Sequence, residues 1–255
     1  MTEVKAKKFL GQHFLTDENI AERIVESLSP DAQRLLEIGP GMGVLTKYLI
    51  KKDGLDFHVV EIDRESVAYL HDHYPTLDVI EGDFLRMDLT ALFHGCFSII
   101  GNFPYNISSQ ILFKVYDNRD NVTEVVGMFQ KEVAERVAAK PGNKTYGILS
   151  VLLSAFYDIE YLFTVNEHVF NPPPKVKSAV IRLRRNDVKG LECNEKLFVQ
   201  VVKAGFNQRR KTLRNALRQL NLPLDRISEE ILAKRAEQLT VTQFIEITKT
   251  IEPCL

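Results

Sequence analysis

Apolar and polar positions fall into repeating blocks over the first 186 residues. The run Arg34-Leu35-Leu36-Glu37-Ile38 predicts a short strand, and the turn Gly39-Pro40-Gly41-Met42-Gly43 behind it leads into a helix over 44–52. The unit then recurs. A strand over 57–62 precedes a helix over 65–73, and a strand is predicted over 77–80. A strand over 97–101 precedes a helix over 110–116 capped by Ser108 or Ser109, and a strand over 122–129 precedes a helix over 131–140. Strands joined through helices run parallel, so the pattern predicts a doubly wound sheet that binds ligands beyond the carboxyl ends of its strands. Two further apolar segments, 159–165 and 179–183, have no helix between them. They predict an antiparallel hairpin at the sheet edge and bring the sheet to seven strands, mostly parallel. From residue 187 the period is purely helical. The chain therefore divides into an α/β domain, 1–186, and a small α-helical domain, 187–255.

Composition adds boundaries. A length of 255 residues with 45% hydrophobic and 26% charged positions is an ordinary globular balance with room for a sizeable core. The cysteines Cys96, Cys193 and Cys254 stand far apart and form no CxxC, which argues against a disulfide framework or zinc site and fits a reducing cytosol. The stretch MTEVKAKKFLGQHFL lacks the apolar core of a signal peptide, and the longest apolar run, 148–157, is interrupted by serines and too short to span a bilayer. A soluble cytoplasmic protein without membrane partner or metal is expected. The triplet His71-Asp72-His73 reads as the solvated face of a charged helix.

Charge is neutral in total and segregated in detail. The net value is −1, yet 196–224 holds seven Lys or Arg and no Asp or Glu, while acids concentrate over 53–88.

Three strand ends carry candidate ligand chemistry. Glu37 to Gly43 is a GxGxG turn in which Val44 stands where a dinucleotide fingerprint has its third glycine, so by itself it also fits a plain tight turn. Glu61 ends the second strand, eighteen residues after Gly43, where a carboxylate takes both hydroxyls of a ribose. Asp83 follows the third strand and can accept an adenine amino group, with Phe84 near the ring. Each acid alone also fits a solvated loop; the three strand ends together suit an adenosine ligand.

The fourth strand ends oddly, in Asn102-Phe103-Pro104-Tyr105. This resembles the Asn/Asp-Pro-Pro-Tyr signature of S-adenosylmethionine-dependent amino methyltransferases. The lone pair of an exocyclic base amine is delocalised into its ring. The Asn102 amide oxygen and the backbone carbonyl next to Pro104 can each accept one of its N–H groups and favour a tetrahedral nitrogen aimed at the methyl donor. Pro104 fixes the turn, and Tyr105 offers a face for a base taken out of its stack.

Over nearly its whole length the chain resembles the bacterial small-subunit rRNA adenine N6,N6-dimethyltransferases, the KsgA (RsmA) family, whose relatives include the Erm resistance methyltransferases and the mitochondrial transcription factor B proteins. The motifs Phe9 to Leu15, Glu37 to Gly43, Gln130 to Val133, Tyr146 to Val151, Phe170 to Val180 and Phe206 to Asn215 follow in family order, and the last favours the dimethyltransferase branch over Erm. The resemblance implies that Gln12, His13, Leu15, Gly39, Gly41, Glu61, Asp83 and Asn102 contact S-adenosylmethionine (S-adenosylhomocysteine after transfer), and that Phe170 sandwiches the target base opposite Tyr105. It implies two adjacent adenines in a hairpin near the 3′ end of the small-subunit rRNA, each methylated twice within a pre-ribosomal particle, by a protein expected to be a monomer. An Erm-type large-subunit enzyme and a non-catalytic assembly or transcription factor are the alternatives. Asn-Phe-Pro-Tyr departs from the usual Asn-Leu-Pro-Tyr, and His13 stands where Asn is commoner. RNA contact is expected from Arg209, Arg210, Lys211, Arg214 and Arg218. Steps of four align Arg210, Arg214 and Arg218 on one face of a helix over 212–220, if that helix extends back to Arg210.

Overall fold

The computed structural model describes residues 4–252; residues 1–3 and 253–255, Cys254 among them, lie outside. Its strands are β1 (Phe14–Leu15), β2 (Arg34–Ile38), β3 (Asp56–Glu61), β4 (Asp78–Glu81), β5 (Phe97–Asn102), β6 (Val122–Gln130), β7 (Tyr157–Val165), β8 (Phe170–Asn171) and β9 (Ser178–Arg185). Its α-helices are α1 (Glu18–Glu26), α2 (Thr46–Leu49), α3 (Arg64–His73), α4 (Ser108–Asp117), α5 (Lys131–Val137), α6 (Ile148–Ser154), α7 (Glu195–Asn207), α8 (Leu213–Leu217), α9 (Glu229–Ala233) and α10 (Val241–Ile251). Seven strands form one sheet in the order β4-β3-β2-β5-β6-β9-β7. The first five run parallel and β9 runs antiparallel to β6. The order reverses at β2 and β5, so the crevice above their carboxyl ends is the switch point of the sheet. Interior strands are buried on both faces and read as continuous apolar runs, whereas edge strand β4 is half exposed.

Several elements depart from the sequence pattern. Helix α2 is shorter than the predicted 44–52 because residues 41–45 form the turn that carries the glycines. Strands β1 and β8 make a second, antiparallel sheet with Leu15 opposite Phe170; two residues are too few to show a period. Helix α1 falls outside the predicted elements and is capped by Asp17, which accepts from the Ile20 N–H at 3.1 Å. Helix α6 is buried at five successive positions and so has no amphipathic stripe to read.

Two compact units emerge, one from the chain up to Ala134 plus Ile159–Arg185, the other from Glu135–Asp158 plus Asn186 onward. The sequence pattern puts the boundary at residue 186 and leaves 135–158 with the sheet. In the structure α6 packs with α7 and α10, which bury its apolar residues. In that second unit the ring of Phe206 meets Tyr146 at 5.9 Å and Phe244 at 6.0 Å. The capping box of Thr240 and Gln243, with bonds of 3.0 and 3.1 Å, starts α10.

The first unit is organised at the top of its sheet by a ring on two glycines. Gly101 of β5 pairs with Gly127 of β6, and the Phe103 ring, 1% exposed, lies across both. A Cβ on Gly127 would stand 2.2 Å from Phe103 Cε2, and one on Gly101 2.7 Å from Cε1. Phe129 closes the slot edge-on at 4.9 Å. Beside this slot Glu37 is fully buried in β2 and accepts the Thr46 hydroxyl at 2.7 Å. Burial lifts its carboxyl to about 8, opposed by Thr46 and reinforced by the charge of Glu61.

Gly127→Ala is expected to lower the unfolding free energy by about 1–3 kcal/mol through overpacking, read from urea denaturation; unchanged stability would mean that the ring can move aside. Glu37 makes a second prediction. Its folded pKa lies above the unfolded value of about 4.3, so the stability it contributes is complete below that value and is lost as pH rises through about 8. Relative to wild type, Glu37→Gln should therefore gain stability steadily across that window; a flat difference in melting temperature against pH would show that the carboxyl ionises freely in the fold.

Candidate active site

The carboxyl ends of β2, β3, β4 and β5 meet above the switch point. Gly39 N–H donates to Val60 C=O and Gly82 N–H to Glu61 C=O, both at 2.9 Å, which draws the first three strand ends together. Over them lies an open cavity whose wall includes Gln12, His13, Gly39, Gly41, Glu61, Asn102, Pro104 and Tyr105. Eight of the residues singled out in the sequence thus converge on one space. Gly39 and Gly41 both have positive φ, and a Cβ on Gly41 would press to 2.8 Å on the Phe14 ring.

Glu61 is oriented by the backbone. Its carboxylate accepts from the N–H groups of Ile62 at 2.8 Å, Asp63 at 2.9 Å and Gly41 at 3.1 Å. Burial raises its pKa, and those three donors oppose the rise. Asp63 behaves differently. Burial pushes it up, but Lys7, Gln12 and the Glu65 N–H outweigh this and hold it below the usual carboxylate range.

The strand-end signature is held in the same manner. Asn102 Nδ2 donates to His13 C=O at 2.9 Å, which fixes the amide and leaves Oδ1 as an acceptor. The Pro104 carbonyl accepts from Ile107 N–H at 3.3 Å and Ser108 Oγ at 3.1 Å, so it is absorbed into the start of α4. The carbonyl next to Pro104 on the other side is that of Phe103. Tyr105 is hydrogen-bonded through its hydroxyl to Ser178, and burial raises its pKa. His13 lies 5.2 Å from the Tyr105 ring, and its Nδ1 is 2.8 Å from Pro172 C=O; a carbonyl only accepts, so Nδ1 carries the proton.

Residues 7–13 form a strap along one side of the cavity. Lys7 is paired with Asp63, Gln12 Nε2 donates to Asp63 Oδ2 at 3.2 Å, and Lys7 N–H donates to Gln12 Oε1 at 2.8 Å. Sequence reasoning did not single out Lys7, Asp63, Phe14 or Ser178. For Asp63 a signal existed, since it stands at the N-cap position of a predicted helix; the other three are defined only by what they meet across the fold.

Other expected residues lie elsewhere. Leu15 is buried in β1 and lines an adjoining cleft of about 340 Å³ with Gly39 and Asn102. Asp83 is absent from the cavity wall because its carboxylate caps the turn after β4, accepting from Leu85 N–H at 2.9 Å beside Arg86. Phe170 is 3% exposed and packs in the apolar core with Leu15 and Val180. In the second unit the expected arginine face does not form as one helix. Arg209 and Arg210 lie in a turn between α7 and α8, and α8 begins only at Leu213. Arg209 donates to Tyr146 C=O at 3.0 Å and also bonds Lys144 C=O, and Arg214 is paired with Glu229. Arg210, Lys211 and Arg218 are exposed. Among the described residues no cluster of three His, Cys, Asp or Glu has metal-binding geometry, and no helix is long and apolar enough to cross a membrane.

Comparison with known proteins agrees with this geometry. The chain is 61% identical to a ribosomal RNA small subunit methyltransferase A of Cytophaga hutchinsonii over 98% of its length and 99% of that protein. It is 58% identical to the protein of that name from Bacteroides thetaiotaomicron over 100% and 97%. Among solved structures it is similar to a dimethyladenosine transferase from Plasmodium falciparum, with TM-score 0.76 and 27% identity over 92% of this chain and 96% of that one. It is also similar to the 23S rRNA methyltransferase ErmE, with TM-score 0.70 and 25% identity over 92% and 99%. The profile described as "Ribosomal RNA adenine dimethylase" matches residues 3–252, and the chain belongs to that family.

Proposed function

We propose that this protein is a cytoplasmic enzyme that dimethylates N6 of two adjacent adenosines in a hairpin near the 3′ end of small-subunit rRNA, within a pre-ribosomal particle, with S-adenosylmethionine as donor. One observation carries the reading: Asn102 lines the cavity bounded by Glu61 and the glycine turn with its amide nitrogen bound to His13 C=O, which keeps Oδ1 as an acceptor. The Erm alternative has 25% identity behind it, against 61% and 58% for the small-subunit proteins. An assembly factor without catalysis has no use for an amide held in that orientation.

S-adenosylmethionine, when bound, supplies an electrophilic methyl group. The residues fit it: Gly39 and Gly41 let a ligand approach the backbone, and Glu61, with two backbone donors on Oε1 and one on Oε2, keeps one lone pair on Oε2 for a ribose hydroxyl. Gln12 and His13 flank the same space from the strap, with Leu15 in the adjoining cleft. On the substrate side, Asn102 Oδ1 and the Phe103 carbonyl each accept an N–H from the adenine amine and turn its lone pair toward the methyl donor. Tyr105, held by Ser178, is the face on which the flipped base lies. The amine nitrogen would take the methyl carbon as the donor's carbon–sulfur bond breaks, leaving S-adenosylhomocysteine, and shed one proton to water, so positioning and polarity carry the step without a strong base. Arg210, Lys211 and Arg218 meet phosphates, while Arg209 and Arg214 support their unit.

Labelled cofactor and unmethylated small subunits test the reading: label recovered as dimethyladenosine supports it, and label entering large-subunit RNA alone, or no label, overturns it. Glu61→Ala should weaken S-adenosylmethionine at least tenfold by calorimetry, since about 1.5–3 kcal/mol attaches to each charge-assisted bond. Normal affinity in that variant would remove the ribose assignment. Asn102→Ala should cut methyl transfer by orders of magnitude with RNA affinity little changed; near-normal turnover would show that the amide is not at the amine.

A further inference from the structure

The strap carries an aromatic ring that the cavity does not use. Phe9 is 77% exposed, more than any other large hydrophobic among the described residues. Its neighbours Leu10 and Gly11 line the cavity and Phe9 does not, whereas Ile62, 51% exposed, faces into it. A lone exposed apolar side chain on a loose loop would need no explanation. Phe9 is not on a loose loop. It sits in a tight turn in which Leu10 N–H donates to Lys7 C=O and Gly11 N–H to Lys8 C=O, each at 3.0 Å, with Gly11 at φ +67°. Lys7 and Gln12 tie that turn to Asp63.

The turn is also tied to the substrate side. Asn106 Nδ2 donates to the Phe9 carbonyl at 3.3 Å, and a Cβ on Gly11 would meet Asn106 Oδ1 at 2.6 Å, so the strap lies directly on the residue that follows Tyr105. Lys5 and Lys8 precede the ring in sequence, are exposed, and make no ion pair among the described residues. An exposed ring on a fixed turn, preceded by two exposed cations and beside the wall meant for an extruded base, matches single-stranded nucleic acid: a π-face for a base and charges for its backbone. Extruding one base also unstacks its neighbour, which then lacks a partner.

We propose that Phe9 is a stacking platform for a nucleotide flanking the target adenosine, with Lys5 and Lys8 meeting the adjoining phosphates. The proposal rests on the RNA reading given above. Wild type, Phe9→Ala, Phe9→Leu and Phe9→Trp full-length proteins are compared by calorimetry with S-adenosylmethionine and by fluorescence anisotropy with a synthetic stem-loop RNA bearing two adjacent unpaired adenosines. Cofactor affinity should stay within about twofold in all four, while RNA affinity falls about tenfold in Phe9→Ala and in Phe9→Leu and returns in Phe9→Trp. Lys5→Ala and Lys8→Ala should each shrink the slope of log affinity against log salt by roughly one unit or less. Full RNA affinity in Phe9→Leu, loss of cofactor affinity in Phe9→Ala, or a wild-type dimer in sedimentation that Phe9→Ala abolishes would each overturn the proposal. The anisotropy readout needs no turnover, so an absence of methyl transfer by wild type would count against the enzymatic reading and leave the stacking result interpretable.

Discussion

The contact between Phe103 and the paired glycines of β5 and β6 is the constraint on which the site depends. Two neighbouring strands can accept an aromatic ring flat against their backbones only where neither bears a Cβ, and Gly101 and Gly127 stand in register at that level. Once the ring is seated, the residues on either side have little freedom. Asn102 closes β5, Pro104 turns the chain, and Tyr105 is tied through its hydroxyl to buried Ser178. Phe103, the position at which the signature departs from the usual Asn-Leu-Pro-Tyr, is the anchor from which its polar atoms are aimed. That is how an apolar strand can finish in an amide, a proline and an aromatic without a loose connector.

Three acids at neighbouring strand ends illustrate how burial and local donors set charge. Glu37 has one hydroxyl for company and is driven to about 8 by burial. Glu61, nearly as deep, is served by three backbone N–H groups that oppose the same desolvation, and so remains a polar anchor facing the cavity. Asp63 has a cation as well, and its pKa falls. The gradient follows the number and charge of donors at each carboxylate. It also ties the strap, through Lys7 and Gln12, to the wall of the cavity that the strap borders.

Backbone hydrogen bonding does more than side-chain chemistry to shape the substrate side. His13 C=O orients the Asn102 amide, the start of α4 consumes the Pro104 carbonyl, and Asn106 holds the strap at Phe9. Each of these fixes which atom stays available, and preorganisation of this kind is what a reaction governed by positioning requires.

By itself the sequence determined the alternating order of strands and helices, the parallel sheet with its edge hairpin, and the strand-end residues Gly39, Gly41, Glu61, Asn102 and Tyr105. These are local properties: a period, a glycine turn, or a polar residue closing an apolar run, each legible within a dozen positions. Tertiary structure decided the rest, because it depends on pairs far apart in the chain. Leu15 meets Phe170 across a two-residue ladder too short to show alternation, and this sets Phe170 in the core. Asp83 caps its own turn, Arg209 donates to backbone carbonyls and Arg214 pairs with Glu229, partners that no spacing rule encodes. Helix α6, buried at five successive positions, groups with the C-terminal helices α7 and α10, and sequence order says nothing about which surface it will bury against.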